Sequence, residues 1–264
     1  MIRQLLLRGM IAGLVAGLLA FSFAKLVGES SIEQAIALEA SGASHEDHAS
    51  SHHSPAQTQE HSHRPYLPEE LVSRDTQSGI GLFVAIVVFT SALGGIFALV
   101  FSMAYGRWSR LSARALSASL AVLGFTCIAL IPYIKYPPNP PSVGQGGTIE
   151  LRTALFFGSI AICVAALVIA LYAGRKLPQR FGSWEAVILR ACLFLVLTTT
   201  CLQILPTINE VPVDFPASLL WDFRVAALGL QALIWASLGL TFGWLAEKKL
   251  ELNPSRANDA FHSK

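Results

Sequence analysis

Charged residues are scarce in this sequence. Asp, Glu, Lys and Arg make up only 14% of its 264 residues, whereas 53% of the residues are hydrophobic. Soluble domains carry about 25% charged residues, and a soluble fold of this length would need more polar surface to cover its core. The composition therefore excludes an ordinary soluble domain and indicates a membrane protein.

Cysteine and histidine are missing from the positions where many cofactor sites need them. The cysteines form no C-x-x-C pair and all lie in apolar stretches, so we expect no structural disulfide and interpret them as packing residues. No histidine lies in an apolar stretch, which disfavours a membrane-bound haem. The cysteines are Cys127, Cys163, Cys192 and Cys201.

Motifs for catalysis are absent as well. The sequence contains no G-x-x-x-x-G-K-[ST] phosphate-binding loop and no recognisable set of nucleophile, base and orienting group. We therefore expect no enzymatic activity, no bound cofactor and no nucleic-acid partner. Energy for any transport would come from a gradient, a partner protein or the electrochemical drive on the ion itself.

Long apolar stretches are what the sequence does contain. Each is long enough to cross a hydrocarbon core of about 30 Å, which takes about 20 helical residues, and none alternates like a barrel strand. Because backbone polar groups in lipid must be satisfied internally, the stretches should be helices. We predict an all-α integral membrane protein, a polytopic bundle of about six transmembrane helices. The spans are approximately Gly9–Val27, Ile80–Met103, Ala115–Ile134, Ala154–Gly174, Val187–Leu205 and Val225–Ala246.

The first segment has two interpretations. "MIRQLLLRGMIAGLVAGLLAFSFAK" resembles a secretory signal peptide in its basic start, its apolar run and the small residues near its end. The apolar run is longer than a usual signal core, however, and Gly9, Gly13 and Gly17 form a flat stripe on which another helix can pack. We therefore predict that residues 1–27 are retained as the first transmembrane helix.

The distribution of Lys and Arg predicts the orientation. With the N-terminus in the cytoplasm, the cytoplasmic segments hold twelve basic residues and the opposite side holds six, with Arg190 at a helix edge. Basic residues concentrate on the cytoplasmic side. Both termini should therefore be cytoplasmic. The predicted organisation is an external loop over residues 28–79, a bundle of five helices over 80–246 and a cytoplasmic tail over 247–264.

The external loop is rich in histidine. Six of the seven histidines of the chain fall within nineteen residues, interleaved with carboxylates, and neutral imidazole is a good ligand for divalent transition metals. The surrounding Ser, Ala, Gly and Pro residues indicate a flexible chelator, with a solvated polar loop as the alternative. The candidate metal ligands are His45, Glu46, Asp47, His48, His52, His53, His61 and His63.

Candidate residues of an ion path are sparse. No His, Asp or Glu lies near the middle of a span, and the polar groups there (Thr90, the Thr198–Cys201 run and Gln231 among them) are interpreted mainly as structural. Carboxylates gather at the outer ends instead and could make the external mouth negative. A solvated rim is the alternative, and Ser30 with Glu33 also fits a capping box. The tentative path residues are Glu29, Glu33, Glu39, Asn139 and Asp222.

Prolines dominate one external loop. In "KYPPNPPSVG" they preclude a regular helix and favour extended backbone, so that free carbonyls and Asn139 could line an entrance. The interpretation that we favour slightly is a stiff cap that fixes the distance between the third and fourth spans. Tyr133 and Tyr136 would then be interfacial anchors.

Four longer stretches are similar to a known family. They are "GESSIEQAIALE" after the first helix, "LVSRDTQSGIGLF" before the second span, "KYPPNPPSVGQGGTIELRTALFF" between the third and fourth, and "DFPASLLWDFR" before the last. Together they resemble the CbtA family of predicted cobalt transporter subunits, and the resemblance extends to about residue 245.

This resemblance implies a function and a partner. It implies a bacterial inner-membrane subunit that takes up cobalt for cobalamin synthesis, together with a small companion membrane subunit that has its own histidine-rich end. It also implies five spans, where the hydropathy pattern predicts six. Cleavage of the first segment, or the loss of one predicted span, would account for the difference.

The leading hypothesis is uptake of a divalent metal through a lipid-embedded bundle. The external loop would capture the ion, cobalt(2+) with nickel and zinc as alternatives, and the carboxylates would pass it inward. The rival hypothesis is a non-transporting membrane accessory or sensor that binds metal and delivers it to another carrier.

The predicted orientation can be tested with reporter fusions. An alkaline phosphatase fused within residues 50–60 should be active, because it would lie outside the cytoplasm, whereas a fusion at residue 264 should be inactive. A green fluorescent protein fused at the same two positions should give the reverse pattern. Cytoplasmic placement of the histidine-rich segment would contradict the capture hypothesis.

Overall fold

The fold class predicted from the sequence is confirmed by a computed structural model. It describes residues 2–49, 73–107, 111–141, 143–174 and 182–251. Within these residues, six helices have the length and composition needed to cross a membrane. These spans are Ile2–Glu39, Gln77–Ala104, Ala113–Lys135, Gly146–Ala173, Trp184–Ile204 and Ala217–Leu250.

Three of the six described spans include a π-helical turn, and the other three consist mainly of one long helix. Helix α1 passes through the turn Ala24–Gly28 into α2, α3 passes through Gln77–Gly81 into α4, and α5 passes through Phe125–Leu130 into α6. A 3-10 turn, Gly146–Thr148, precedes α7. The helices are α1 Ile2–Phe23, α2 Glu29–Ala49, α3 Arg74–Thr76, α4 Leu82–Ala104, α5 Ala113–Gly124, α6 Ile131–Lys135, α7 Ile149–Ala173, α8 Ser183–Ile204 and α9 Ala217–Glu251.

The start of the predicted external loop is helical instead. The backbone from Glu29 to Ala49 forms α2, which continues directly from the first span. Its sequence is rich in Ala and Glu, which are strong helix formers. Because the helix is continuous, Ser30 does not lie at a helix N-terminus, and its interpretation as a capping box with Glu33 is wrong.

The glycine stripe of α1 packs against α4, as the sequence predicts. A Cβ atom at Gly9 would overlap the carbonyl oxygen of Gly94, and one at Gly13 would overlap that of Thr90. The contact is reciprocal, because a Cβ at Gly94 would overlap the Gly9 carbonyl oxygen. The two backbones thus approach as closely as glycine allows, which is how small residues bring membrane helices together.

Around this contact, α1, α4, α5 and α9 enclose one apolar core. Its centre is aromatic: the ring of Phe242 lies 5.0 Å from that of Phe101 and 5.5 Å from that of Phe97, both edge to face. Such pairs add stabilisation beyond the area they bury. Ser117 of α5 donates a hydrogen bond of 2.7 Å to the carbonyl oxygen of Gly239 on α9, which fixes the two helices in register.

A second, smaller core joins α7 and α8 to the third span. Cys127 from the π-helical turn, Cys163 from α7 and Phe194 from α8 are buried together. The packing role predicted for the cysteines is therefore confirmed for these two, whereas Cys192 and Cys201 are exposed on α8. The third span serves both cores, because its first half packs on α9 and its π-helical turn packs on α7.

The bundle has two chemically different ends. At the end where α1 begins and α9 ends, which we call the basic end, Arg8 donates to the carbonyl oxygen of Leu245 and Arg114 pairs with Glu247. At the opposite end, which we call the loop end, lie the connections 136–148 and 205–216. There, Arg74 pairs with Glu29 at 2.8 Å.

The close approach of α1 and α4 can be tested with alanine in place of glycine. Gly13→Ala should lower the free energy of unfolding of the purified protein by about 1–3 kcal/mol, and with it the melting temperature, because the new Cβ forces two backbones apart. The matched control is Gly158→Ala in α7, where a Cβ has nothing within 4 Å. Since alanine is the better helix former, this control should be neutral or slightly stabilising. Equal melting temperatures for the two variants would contradict the packing.

Candidate functional site

A cavity of about 560 Å³ opens at the loop end, between the third, fourth and last spans. Two arginines, Arg152 from α7 and Arg224 from α9, line it together with one carboxylate, Glu210. Its deeper wall is apolar, with Ile128 and Phe156 among the lining residues. Concave sites with apolar walls and a few convergent polar groups are where proteins commonly bind small molecules.

The cavity extends inward along each of its helices. On α9 it reaches from Arg224 to Gln231, a rise of about 10 Å for seven helical residues. On the third span it reaches from Tyr136 to Ile128, which belongs to the π-helical turn Phe125–Leu130. Turns of this kind occur often at functional sites because they disturb the regular helix. The cavity is therefore a recess into the membrane part of the protein.

The proline-rich loop holds Arg224 in place. Arg224 donates from Nη2 to Oδ1 of Asn139 at 3.0 Å and from Nε to the carbonyl oxygen of Pro138 at 3.4 Å. The rigid extended backbone presents these acceptors to the guanidinium. The two interpretations of the loop are thus compatible, because it lines the cavity and also positions one of its charged groups.

Arg152 and Glu210 form a second fixed group at the mouth. Nε of Arg152 lies 3.6 Å from Oε2 of Glu210, which also accepts a hydrogen bond of 2.8 Å from the backbone N–H of Gln145. Hydrogen bonds from Thr148 and Gln145, together with the charge of Arg152, lower the pKa of Glu210. The carboxylate is therefore ionised at neutral pH and already engaged with donors.

Both tyrosines of the third span line the cavity. Tyr136 donates a hydrogen bond of 2.7 Å from its hydroxyl to the carbonyl oxygen of Pro206, and burial raises the pKa of this hydroxyl. Tyr133 lies among the lining residues one turn deeper. Their role as interfacial anchors stays a prediction, and the structure adds a contribution to the cavity wall.

The five tentative path residues do not come together. Asn139 lines the cavity, whereas Glu29 is buried against Arg74 and the side chains of Glu33 and Glu39 are exposed. Asp222 lies in a separate groove of about 390 Å³ between α2 and α9. The negative charge expected at the mouth is not found at the cavity, because its described lining holds two arginines and a single carboxylate.

The predicted histidine site lies largely beyond what the structure describes. His45, Glu46, Asp47 and His48 fall on the backbone of α2, and their side chains are outside the described part. His52, His53, His61 and His63 lie outside the described residues altogether. Elsewhere, in the part of the chain that the structure does describe, no three His, Cys, Asp or Glu residues cluster in a way that could hold a metal ion.

The polar groups within the spans are partly structural, as expected. Thr90 is fully buried and donates to the carbonyl oxygen of Ile86 at 2.8 Å, which satisfies its hydroxyl within its own helix. Thr198 differs, because its buried hydroxyl has no hydrogen-bond partner among the described residues. Thr199, Thr200 and Gln203 are exposed on α8.

Sequence reasoning missed Arg152 and Arg224 as site residues. They appear there only as charges in the orientation count, because each is a single basic residue beside a span. A signal was present, however: both lie in the quoted stretches "TIELRTALFF" and "LLWDFR", where a charge at the edge of an apolar run is costly unless it has a use.

One of three comparisons with known proteins finds a match. No curated protein and no solved structure matches the chain. A family model described as a probable cobalt transporter subunit, CbtA, matches residues 2–247, nearly its whole length. The chain therefore belongs to the CbtA family of probable cobalt transporter subunits.

Proposed function

We propose that this protein is the membrane subunit of a cobalt uptake system in the bacterial inner membrane, supplying cobalt for cobalamin synthesis. The observation that carries the proposal is the family match over residues 2–247, on a chain whose described part contains six membrane-spanning helices. The recess at the loop end supports it, because it gives a solute access toward the middle of the bundle.

We further propose that the histidine-rich segment captures the metal outside the cell membrane. The residues on either side of that segment meet at the loop end, where Arg74 pairs with Glu29, and the basic end lies opposite. Basic residues favour the cytoplasm, so this arrangement supports an external segment and cytoplasmic termini. Imidazole binds divalent cobalt, nickel and zinc, and protonation below about pH 6 should weaken this binding.

The alternative function is a membrane accessory or sensor that binds metal without transporting it. The described spans favour it in one respect, because they contain no cluster of metal ligands that would mark an ion path. An uptake measurement on the isolated chain separates the two functions.

Uptake should be measured in liposomes that contain the purified protein and a metal-sensitive dye. Substituting Asn for the six histidines between His45 and His63 should lower cobalt uptake several-fold at low cobalt and leave it unchanged at saturation. The reason is that a capture site raises the local concentration of the ion without performing the crossing.

Two controls accompany this measurement. Deleting residues 45–63 tests the segment as a whole, and substituting Asn for His262 removes the one histidine outside it. Equal uptake in all variants would exclude the segment from the mechanism. Uptake no greater than in empty liposomes would exclude transport by the chain alone and favour the accessory function.

We also propose that α8 is the contact surface for the companion subunit. Within the described part of the chain, α8 packs mainly on α7 and is the least buried of the six spans. It exposes Thr199, Thr200 and Gln203. Polar side chains on a membrane helix are stabilised by hydrogen bonds to a neighbouring helix.

The exposed cysteines of α8 allow a direct test of this surface. A thiol cross-linker in intact membranes should join these cysteines to a small membrane protein, and replacing both Cys192 and Cys201 with Ser should abolish the product. The matched control is Cys163, which is fully buried and should give no cross-link. A product that persists when both exposed cysteines are replaced, or cross-links only between copies of this chain, would contradict a companion at α8.

A further inference from the structure

The charge of the cavity at the loop end is unsuited to a bare metal cation. The described residues that line it include the two arginines and Glu210, and no histidine or cysteine. A third cation is close by, because Nζ of Lys135 lies 6.0 Å from the ring centre of Tyr136. A divalent cation would be repelled by these charges and would find none of the imidazole or thiolate ligands that it favours.

Glu210 does not cancel the positive charge of the cavity lining. Its Oε2 is occupied by the backbone N–H of Gln145, and hydrogen bonding from Thr148 also stabilises its ionised form. A carboxylate held by donors in this way fixes the connection 136–148 to the connection 205–216. It neutralises one arginine at most, so the mouth retains a positive charge.

The arginines have donors to spare. A guanidinium carries five N–H groups, and Arg224 uses two of its nitrogens on Asn139 and Pro138. Nη2 of Arg152 makes one long contact, 3.4 Å, to the carbonyl oxygen of Gln145. The turn below Arg152 is shaped for it, because Gly144 has a φ of 117° and a Cβ there would overlap the guanidinium. Two positioned guanidiniums facing one recess suit carboxylate or phosphate oxygens.

The size of the cavity also favours an organic ligand over a bare cation. The volume of about 560 Å³ lies within the range of about 300–1,000 Å³ that is common for sites of small organic ligands. The apolar wall formed by residues such as Ile128, Phe156 and Leu230 offers nothing to a hydrated ion. It suits the carbon skeleton of an organic ligand whose oxygen atoms face the arginines.

We propose that this cavity binds a small, anionic, oxygen-rich molecule, and that cobalt enters it as a chelate of such a molecule and not as a bare cation. The second half rests on the proposed uptake function, whereas the first half is independent of it.

The test uses the full chain in nanodiscs of phosphatidylcholine, a lipid with no net charge. Equilibrium dialysis measures the binding of labelled citrate, of cobalt–citrate and of free cobalt(II). We expect Arg152→Gln and Arg224→Gln each to weaken binding of citrate and cobalt–citrate by about tenfold or more, since each removes charge-assisted hydrogen bonds. Binding of free cobalt should be unchanged in both variants.

Matched variants separate recognition from folding. Arg114→Gln removes a positive charge at the basic end, in an exposed pair with Glu247, and should leave citrate binding unchanged. Arg224→Lys keeps the charge and loses the forked donor geometry, so it should bind citrate with intermediate affinity. Helical content measured by circular dichroism should be the same in all variants.

Three outcomes would overturn the proposal. Citrate binding that is absent, or equal in the wild type and both Arg→Gln variants, would exclude an anion site. Loss of free-cobalt binding in those variants would assign the cavity to the cation. Nanodiscs containing phosphatidylglycerol test whether a lipid supplies the oxyanion. If this lipid competes with citrate in the wild type, and the competition is lost in the Arg→Gln variants, the cavity is a headgroup site.

These measurements distinguish a failure of the anion-site inference from a failure of the proposed uptake function. If citrate does not bind but liposomes still take up labelled cobalt, this inference fails and the uptake function stands. If citrate binds through the arginines and no cobalt enters the liposomes even when it is supplied as cobalt–citrate, the anion site stands and the chelate-entry half fails together with the uptake function.

Discussion

The backbone contact between α1 and α4 is the constraint on which the rest of the structure depends. Lipid tails are as apolar as the helix surfaces, so there is little hydrophobic drive for helices to associate within a bilayer, and close packing must supply the attraction. Gly9 and Gly94 allow that packing because neither has a side chain between the two backbones. Once α1 is fixed on α4, both pack on α9, and α2 is carried to the loop end beside Arg74.

The chemical division between the two ends follows from this arrangement. At the basic end, arginines donate to backbone carbonyl groups: Arg8 donates to that of Leu245 on α9, and Arg190 donates at 2.6 Å from Nη2 to that of Gly174, which ends α7. At the loop end, Arg152 and Arg224 are instead held by loop residues and face a recess. Arginine thus binds helix backbone at the basic end, whereas Arg152 and Arg224 line a recess at the loop end.

The sequence predicted the parts that depend on single segments. Hydropathy located all six spans, and the four-residue spacing of Gly9, Gly13 and Gly17 predicted a helix contact, because both signals are local. The cavity could not be predicted in the same way, since Arg152, Glu210 and Arg224 come from different elements and meet only in the fold. The positions of the carboxylates could not be predicted for the same reason: in the fold, Glu29 is buried against Arg74 and Asp222 lines a groove separate from the cavity.

The divided third span links two packed groups of helices, one that contains α1, α4 and α9 and one that contains α7 and α8. Its first half belongs to the core around Phe242, and its π-helical turn contributes Ala129 to that core and Cys127 to the core around Cys163, so α7 and α8 are tied to the other helices largely through one element. Since the walls of the recess come from both groups of helices, a tilt of the α7–α8 pair relative to the others would widen or narrow its mouth.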